Sequence, residues 1–367
     1  MSLEAARKLV EKLDVKVNEL SLGSPFLRPD YKTEPLDASN FHAIPPASNE
    51  GKIAFVDGGN REILRAPNFS VQINRVYYNV FRGRRREVPG SLPLRIEFFS
   101  LTYSAFEGGQ LYFETSIFPL REEFHDYLPD ETDLRFSSAD RSLSVDFERA
   151  DISRAASLAR RFAEWEFAYH VAREELDSGD ILVVDGTLQT PHVNEAKYAE
   201  KIQRESLRKE VHFTGLSKTC ELHTTTGLSL IGAIRKLAED NGISGAWYYP
   251  LATISSSDHK AIVFITKLHP RAERIFRFEM FAEDPSLDDP HADEVLSQLS
   301  VNASDISMPG YPYGLLDADA FARIRREEAE RYRIMLFSEI SKQGKWKKFM
   351  RHIRATDAHE FLNMLVR

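Results

Sequence analysis

The sequence predicts an α/β protein with a mixed sheet and helices on its faces. Two short apolar runs, Ile53-Ala54-Phe55-Val56 and Ile181-Leu182-Val183-Val184, each stop at an Asp-Gly step and read as buried strands. Between them lie segments rich in β-branched and aromatic residues and then one long helical stretch. After the second run, helical and strand-like patterns alternate, as expected of a mixed sheet with covered faces.

In chain order, Leu3, Ala6, Leu9, Val10, Leu13, Val17 and Leu20 fall at helical spacing and predict an amphipathic N-terminal helix whose stripe has a role in assembly. Residues 21–51, with Pro25, Pro29, Pro35, Pro45 and Pro46, read as an extended connector. The first strand should end at a turn formed by Asp57-Gly58-Gly59. Val71–Phe81, Leu94–Tyr103 and Leu111–Phe118 follow as antiparallel strands, with Gly108-Gly109 as a turn. A polar stretch, Arg121–Asp146, leads to a helix over Ile152–Leu176, which Gly179 terminates. The second buried strand ends at Asp185-Gly186-Thr187. Beyond it come a helix near 194–209, a strand at 211–216, a helix near 229–241 and strands at 261–266 and 274–281. An acidic loop over 283–294 and a final helix from Asp317 to about Ser341 complete the pattern. The organisation expected is an N-terminal helix and connector over 1–50, a main domain over 51–341 and a basic helical segment over 342–367.

Composition narrows the function classes. Lys and Arg number 48 against 56 Asp and Glu, and the net charge of −8 argues against coating nucleic acid by bulk charge. A local basic groove remains open, from Arg82, Arg84, Arg85 and Arg86 or from Lys342, Lys345, Lys347, Lys348, Arg351 and Arg354; each stretch reads equally well as a solvated face. No apolar run reaches the roughly 20 residues of a membrane-spanning helix, so no membrane association is expected. The lone Cys220 allows no intramolecular disulfide, which fits a reducing cytoplasm. There is no Gly-x₄-Gly-Lys-Ser/Thr loop, no Gly-x-Ser-x-Gly elbow and no zinc-type Cys or His spacing.

The acidic positions carry the chemistry. Asp57 and Asp185 each follow an apolar strand and precede glycine, an arrangement that lets substrate and backbone approach. Carboxylates on adjacent strand ends can share a divalent cation, which prefers oxygen ligands. Either Asp-Gly alone is commonly just a tight turn. The intervening helix offers Glu164 or Glu166; about 200° apart around the axis, only one can face the site. Lys218 follows a predicted strand and could meet a phosphate, or be an ordinary surface lysine. Asp317 and Asp319 open the last helix, where an Asp is often a cap, and Asp319 is also a candidate ligand.

The ordered set Phe55-Val56-Asp57-Gly58-Gly59, Arg161-Phe162-Ala163-Glu164-Trp165, Val183-Val184-Asp185-Gly186-Thr187-Leu188, Gly215-Leu216-Ser217-Lys218-Thr219, Tyr311-Pro312-Tyr313 and Ala318-Asp319 resembles the NurA nuclease family from about Ile53 to Arg323. The resemblance implies a ribonuclease-H-like fold and Mn²⁺-dependent cleavage, Mg²⁺ being possible, of single- and double-stranded DNA. Single-strand endonuclease and 5′–3′ exonuclease action come with it. It implies a homodimer working with a hexameric HerA-type translocase in DNA end resection and double-strand break repair. It makes Asp57, Glu164, Asp185 and Asp319 metal ligands and Lys218 a phosphate-facing residue. Relatives often carry His where Asp319 stands, so a general-acid role there is in question. The competing readings are a non-catalytic DNA clamp or translocase adaptor and an actin-like ATPase or kinase. The latter lacks further glycines in the second turn and a late Gly-Gly adenosine segment.

Overall fold

The structure, a computed structural model, describes residues 3–18, 21–48, 51–88, 90, 92–144 and 150–353. In chain order the elements are α1 (Leu3–Asn18), β1 (Pro25–Phe26), β2 (Tyr31–Thr33), β3 (His42–Ala43), β4 (Lys52–Ala66), β5 (Phe69–Arg82), β6 (Arg85–Glu87), β7 (Arg95–Glu107), β8 (Gln110–Pro119) and β9 (Arg135–Ser137). There follow α2 (Ile152–Glu175), β10 (Ile181–Asp185), α3 (Ala196–Lys209), β11 (His212–Ser217), β12 (His223–Thr224) and α4 (Leu230–Asp240). The last are β13 (Trp247–Ser256), β14 (His259–Lys267), β15 (Phe276–Met280), α5 (Ala292–Asn302), α6 (Tyr313–Ala322), α7 (Arg326–Lys342) and α8 (Trp346–Ile353).

Contacts divide the chain into two compact units, one of residues 51–184, 189–213 and 314–367 and one of residues 1–50, 185–188 and 214–313. The first carries a mixed sheet in the order β10-β4-β5-β7-β8-β9, with β6 on β5. β4, β5, β7 and β8 are antiparallel neighbours, and β10 returns parallel to β4 after α2 has crossed the face. An antiparallel meander, here β4-β5-β7-β8-β9, followed by a helix and a strand parallel to the first is a ribonuclease-H-like arrangement. α2 covers the sheet because one side of it is apolar: Ala156, Ala159, Phe162, Ala163, Phe167 and Val171 are fully buried. The ring of Phe167 meets Tyr78 of β5 edge-on. In the second unit, β2, β13, β14, β15 and β11 form antiparallel pairs, and α4 buries Leu230 and Ile234 against Trp247, Leu251 and Val263.

Several expectations need correction. β4 does not end at Asp57. It runs through Asp57-Gly58-Gly59 to Ala66, because β5 pairs with it along that whole length, Asp57 opposite Tyr77 and Gly59 opposite Arg75. The connector is partly ordered into sheet: β2 and β3 pair with β13. β13 itself escapes sequence patterning because Pro250 interrupts it; Pro250 stays in register with Phe264, and the strand shifts register just after it, leaving Leu251 as the extra residue before Ala252. The tail of the acidic loop becomes α5. The single helix expected from Asp317 is two, α6 and α7, and Asp317 and Asp319 lie inside α6 rather than at its start. The break after Ala322 is held from the sheet, with Arg61 donating to the Ile324 carbonyl at 3.0 Å and Arg75 to that of Arg323 at 3.2 Å. Guanidinium donors thus satisfy carbonyls that a continuous helix would have paired.

α1 forms as its spacing predicts, yet Leu3, Leu9, Val10 and Leu13 are exposed. Leu20, Asp146, Arg354 and the rest of the basic segment to Arg367 lie outside the described residues. Among the described residues no helix is long and apolar enough to cross a membrane.

Asp151 caps α2, its carboxylate accepting the Ser153 N–H at 2.7 Å and pairing with Arg65 at 2.9 Å. Partial burial pushes its pKa up, but the Ser153 bonds and Arg65 pull harder, so it sits below the ordinary 3.8. A depressed carboxylate contributes stability that is present above its unfolded pKa and is lost as pH falls through the folded value. Asp151→Ala should lower unfolding free energy by about 1 kcal/mol near neutral pH. In urea titrations that difference should shrink below pH 4.

Candidate metal centre

Asp57 sits mid-strand on β4, buried to 6% exposure, and accepts the Gly58 N–H at 2.7 Å. Gly58 is glycine for a steric reason. A Cβ there would collide with Oε1 of Glu164 and stand 2.7 Å from its Cγ. α2 therefore lays Glu164 against the backbone beside Asp57, and only a missing side chain leaves the room. Arg160, one turn earlier, pairs with Glu164. Glu166 faces elsewhere: it is buried, accepts from Lys201 Nζ at 2.7 Å and lies 3.8 Å from His170. Of the two glutamates, Glu164 is the one beside Asp57.

Asp319 arrives on α6. That helix is tied to β5 by Asn79, whose amide donates to the Gly314 carbonyl and to Asp317, both at 2.8 Å. Its other end rests on β4 at Gly59, where a Cβ would collide with the Ala322 carbonyl oxygen. Asp319, one turn before Ala322, is thereby brought over the strand near Asp57, with Arg323 2.5 Å from its carboxylate. Asp317 is committed to structure: it is buried and held by Asn79, by Arg86 at 3.0 Å and by Tyr77 at 3.4 Å.

Asp185 ends β10. The parallel register pairs Val184 with Val56, so the next residue on each strand is the acidic one. One carboxylate oxygen from each of Asp57, Asp185 and Asp319 lies within 4.8 Å of the other two. Three negative groups this close repel one another unless a cation lies among them, and hard carboxylate oxygens are the donors Mg²⁺ and Mn²⁺ take. The donor set therefore fits a divalent metal. Glu164 lies beside Gly58 but outside that three-oxygen group. Lys218, just past β11, is partly exposed with its Nζ 2.9 Å from Asp185.

Arginine partners were the part sequence reading missed. Arg160 and Arg323 each sit one helical turn from their carboxylate, at the i,i+4 spacing visible in the sequence. Arg161 and Trp165 from the same helical motif act differently, since both donate to the fully buried Glu195 and so fix α2 rather than face the site.

A ribonuclease-H-like sheet with acidic residues gathered where β4 and β10 run side by side defines a class of nucleases. The NurA domain model matches residues 51–324, most of the chain, and the protein belongs to the NurA family as a nuclease. The crystal structure of the NurA nuclease from Sulfolobus solfataricus is similar in fold, with a TM-score of 0.50 at 11% identity over 94% of this chain and 98% of that one. Endonuclease V from Ciona intestinalis, in complex with a 24mer DNA, aligns with a TM-score of 0.37 at 10% identity over 78% of this chain and 89% of that one. No curated protein sequence matches.

Gly58→Ala tests the close approach directly. The added methyl must displace Glu164, and misplacement of a site group by about 1 Å is worth roughly 100-fold in rate. Nuclease activity should fall by about that factor in a folded protein, whereas Glu166→Gln should leave it within about threefold of wild type.

Proposed function

We propose that this protein is a divalent-metal-dependent deoxyribonuclease in which Asp57, Asp185 and Asp319, with Glu164 beside them, hold Mn²⁺ or Mg²⁺. The observation that carries the reading is the convergence of three carboxylate oxygens within 4.8 Å of one another. A cation bound there supplies water activation and charge stabilisation at the phosphate. The chain's own residues do the positioning. Arg160 and Arg323 hold the Glu164 and Asp319 carboxylates in orientation. Lys218, tethered to Asp185, can offer its ammonium to a scissile phosphate oxygen as negative charge builds there.

The proposed substrates are single- and double-stranded DNA, cut by single-strand endonuclease and 5′–3′ exonuclease action. The proposed setting is a homodimer working with a HerA-type hexameric translocase in DNA end resection and double-strand break repair. Family membership and the resemblance of the motifs support this setting.

The test is cleavage of end-labelled single-stranded DNA with Mn²⁺, Mg²⁺ or EDTA. Wild type should cut only with metal, and Asp57→Ala and Asp185→Ala should fall to background. Lys218→Ala should lose roughly 100-fold in kcat, with metal affinity little changed. A wild type that binds DNA without cutting it under any metal would instead favour the adaptor reading.

A further inference from the structure

Glu279 on β15 is fully buried and ionisable, and no step above uses it. Its Oε2 accepts the backbone N–H of Leu188 at 2.8 Å and faces His259 Nε2 at 2.8 Å, while its Oε1 lies 2.5 Å from Arg277 Nη2. His259 and Arg277 are themselves buried, and Arg277 also donates to the Tyr31 hydroxyl at 2.9 Å. Burial pushes the Glu279 carboxyl up, but Arg277, His259 and the Leu188 N–H together hold it below the ordinary value. Burying an ion pair in this way is seldom the most stable filling for a core, since apolar residues of similar volume do as well or better.

What the pair gains is a fixed grip on one backbone amide. Leu188 closes the short segment that begins with Asp185. At the near end of that segment, the Gly186 N–H donates to the Leu216 carbonyl at 2.9 Å. Gly186 has φ of 110°, a conformation side chains resist, and Gly215 leaves room for its carbonyl, which a Cβ would meet at 2.6 Å. The segment carrying Asp185 is thus clamped by Leu216 at one end and by Glu279 at the other.

We infer that Glu279 is a positioning residue: by accepting the Leu188 N–H, it fixes residues 185–188 and hence the direction in which Asp185 presents its carboxylate to a divalent metal. The inference rests on the reading of Asp185 as a ligand. Groups that orient a metal ligand without touching the metal commonly contribute about 10- to 100-fold in affinity. Glutamine cannot replace the carboxylate here. The Leu188 N–H and His259 Nε2 meet at Oε2 while the Arg277 guanidinium lies against Oε1, and an amide keeps only one oxygen, so one orientation sets its NH₂ against Arg277 and the other against Leu188 and His259.

The experiment compares full-length wild type, Glu279→Gln and Glu279→Ala by amide hydrogen exchange without metal, by Mn²⁺ titration with electron paramagnetic resonance, and by DNA cleavage against Mn²⁺ concentration. In wild type the Leu188 amide should be protected. In folded Glu279→Gln it should exchange at least about 10-fold faster, and Mn²⁺ affinity should fall about 10-fold, with much of the cleavage rate returning at saturating Mn²⁺. An unprotected Leu188 amide in wild type overturns the inference whether or not the variants fold. A folded Glu279→Gln with wild-type exchange and Mn²⁺ affinity overturns it as well. Wild type that binds no Mn²⁺ and cuts no DNA removes instead the metal-nuclease reading, a failure the exchange data keep distinct.

Discussion

The parallel pairing of β10 with β4, Val184 opposite Val56, is the constraint from which the site follows. Over the paired residues, Ile53–Val56 and Ile181–Val184, both strands are buried, as parallel strands between covering layers must be, so their apolar residues determine the register. With the register set, the acidic residue that follows each apolar run falls at the same level. The remaining acidic groups need only be delivered to that level by helices, α2 across the sheet and α6 along β4. Nothing about the carboxylates themselves would bring them together; the hydrophobic pairing of their neighbours does so against their mutual repulsion.

The carboxylates are not left bare. Glu164 has Arg160, Asp319 has Arg323 and Asp185 has Lys218, so three cations accompany the four acids and the centre keeps a net negative charge within a chain of net charge −8. Each cation pairs with an acid rather than lying deep beneath it, and Lys218 and Arg323 are partly open to solvent. Such pairs contribute little to stability at an exposed surface. Their effect is on orientation, and under the proposed nuclease reading they leave donors for the phosphate.

The strands that carry Asp57 and Asp185 were legible because an abrupt stop in an all-apolar run is a strong local signal. The Asp57-Gly58-Gly59 step was misread as a turn for an instructive reason. Local chemistry associates glycine with φ > 0, but here the glycines clear space for Glu164 and for the Ala322 carbonyl, which come from helices far along the chain. The choice between Glu164 and Glu166 could not be made from helical periodicity, since each faces a polar partner, and only tertiary contacts show which partner is the site. Asp319 is expected from the sequence at the opening of a helix, where an Asp is commonly a cap, and the motif resemblance makes it a ligand candidate; it lies inside α6 instead. The α6–α7 break that places it depends on Arg61 and Arg75, two sheet residues with no sequence relation to the helix. Glu279 gave no signal, because a lone glutamate among aromatic residues carries no local hint of a backbone partner elsewhere in the chain.

That β4 continues past Asp57 for nine more residues changes what kinds of inherited change this protein can tolerate. Because alternate residues of a strand face opposite ways, gaining or losing one residue between Lys52 and Asp57 would turn the acid to the other side of the sheet unless a bulge absorbed it. The hairpin tip at Pro67-Asn68 is a different matter, since added residues there lengthen a loop without altering the pairing before it. Lineages of such a chain should therefore differ in length at the far end of the hairpin while the short stretch leading into the acid keeps its count.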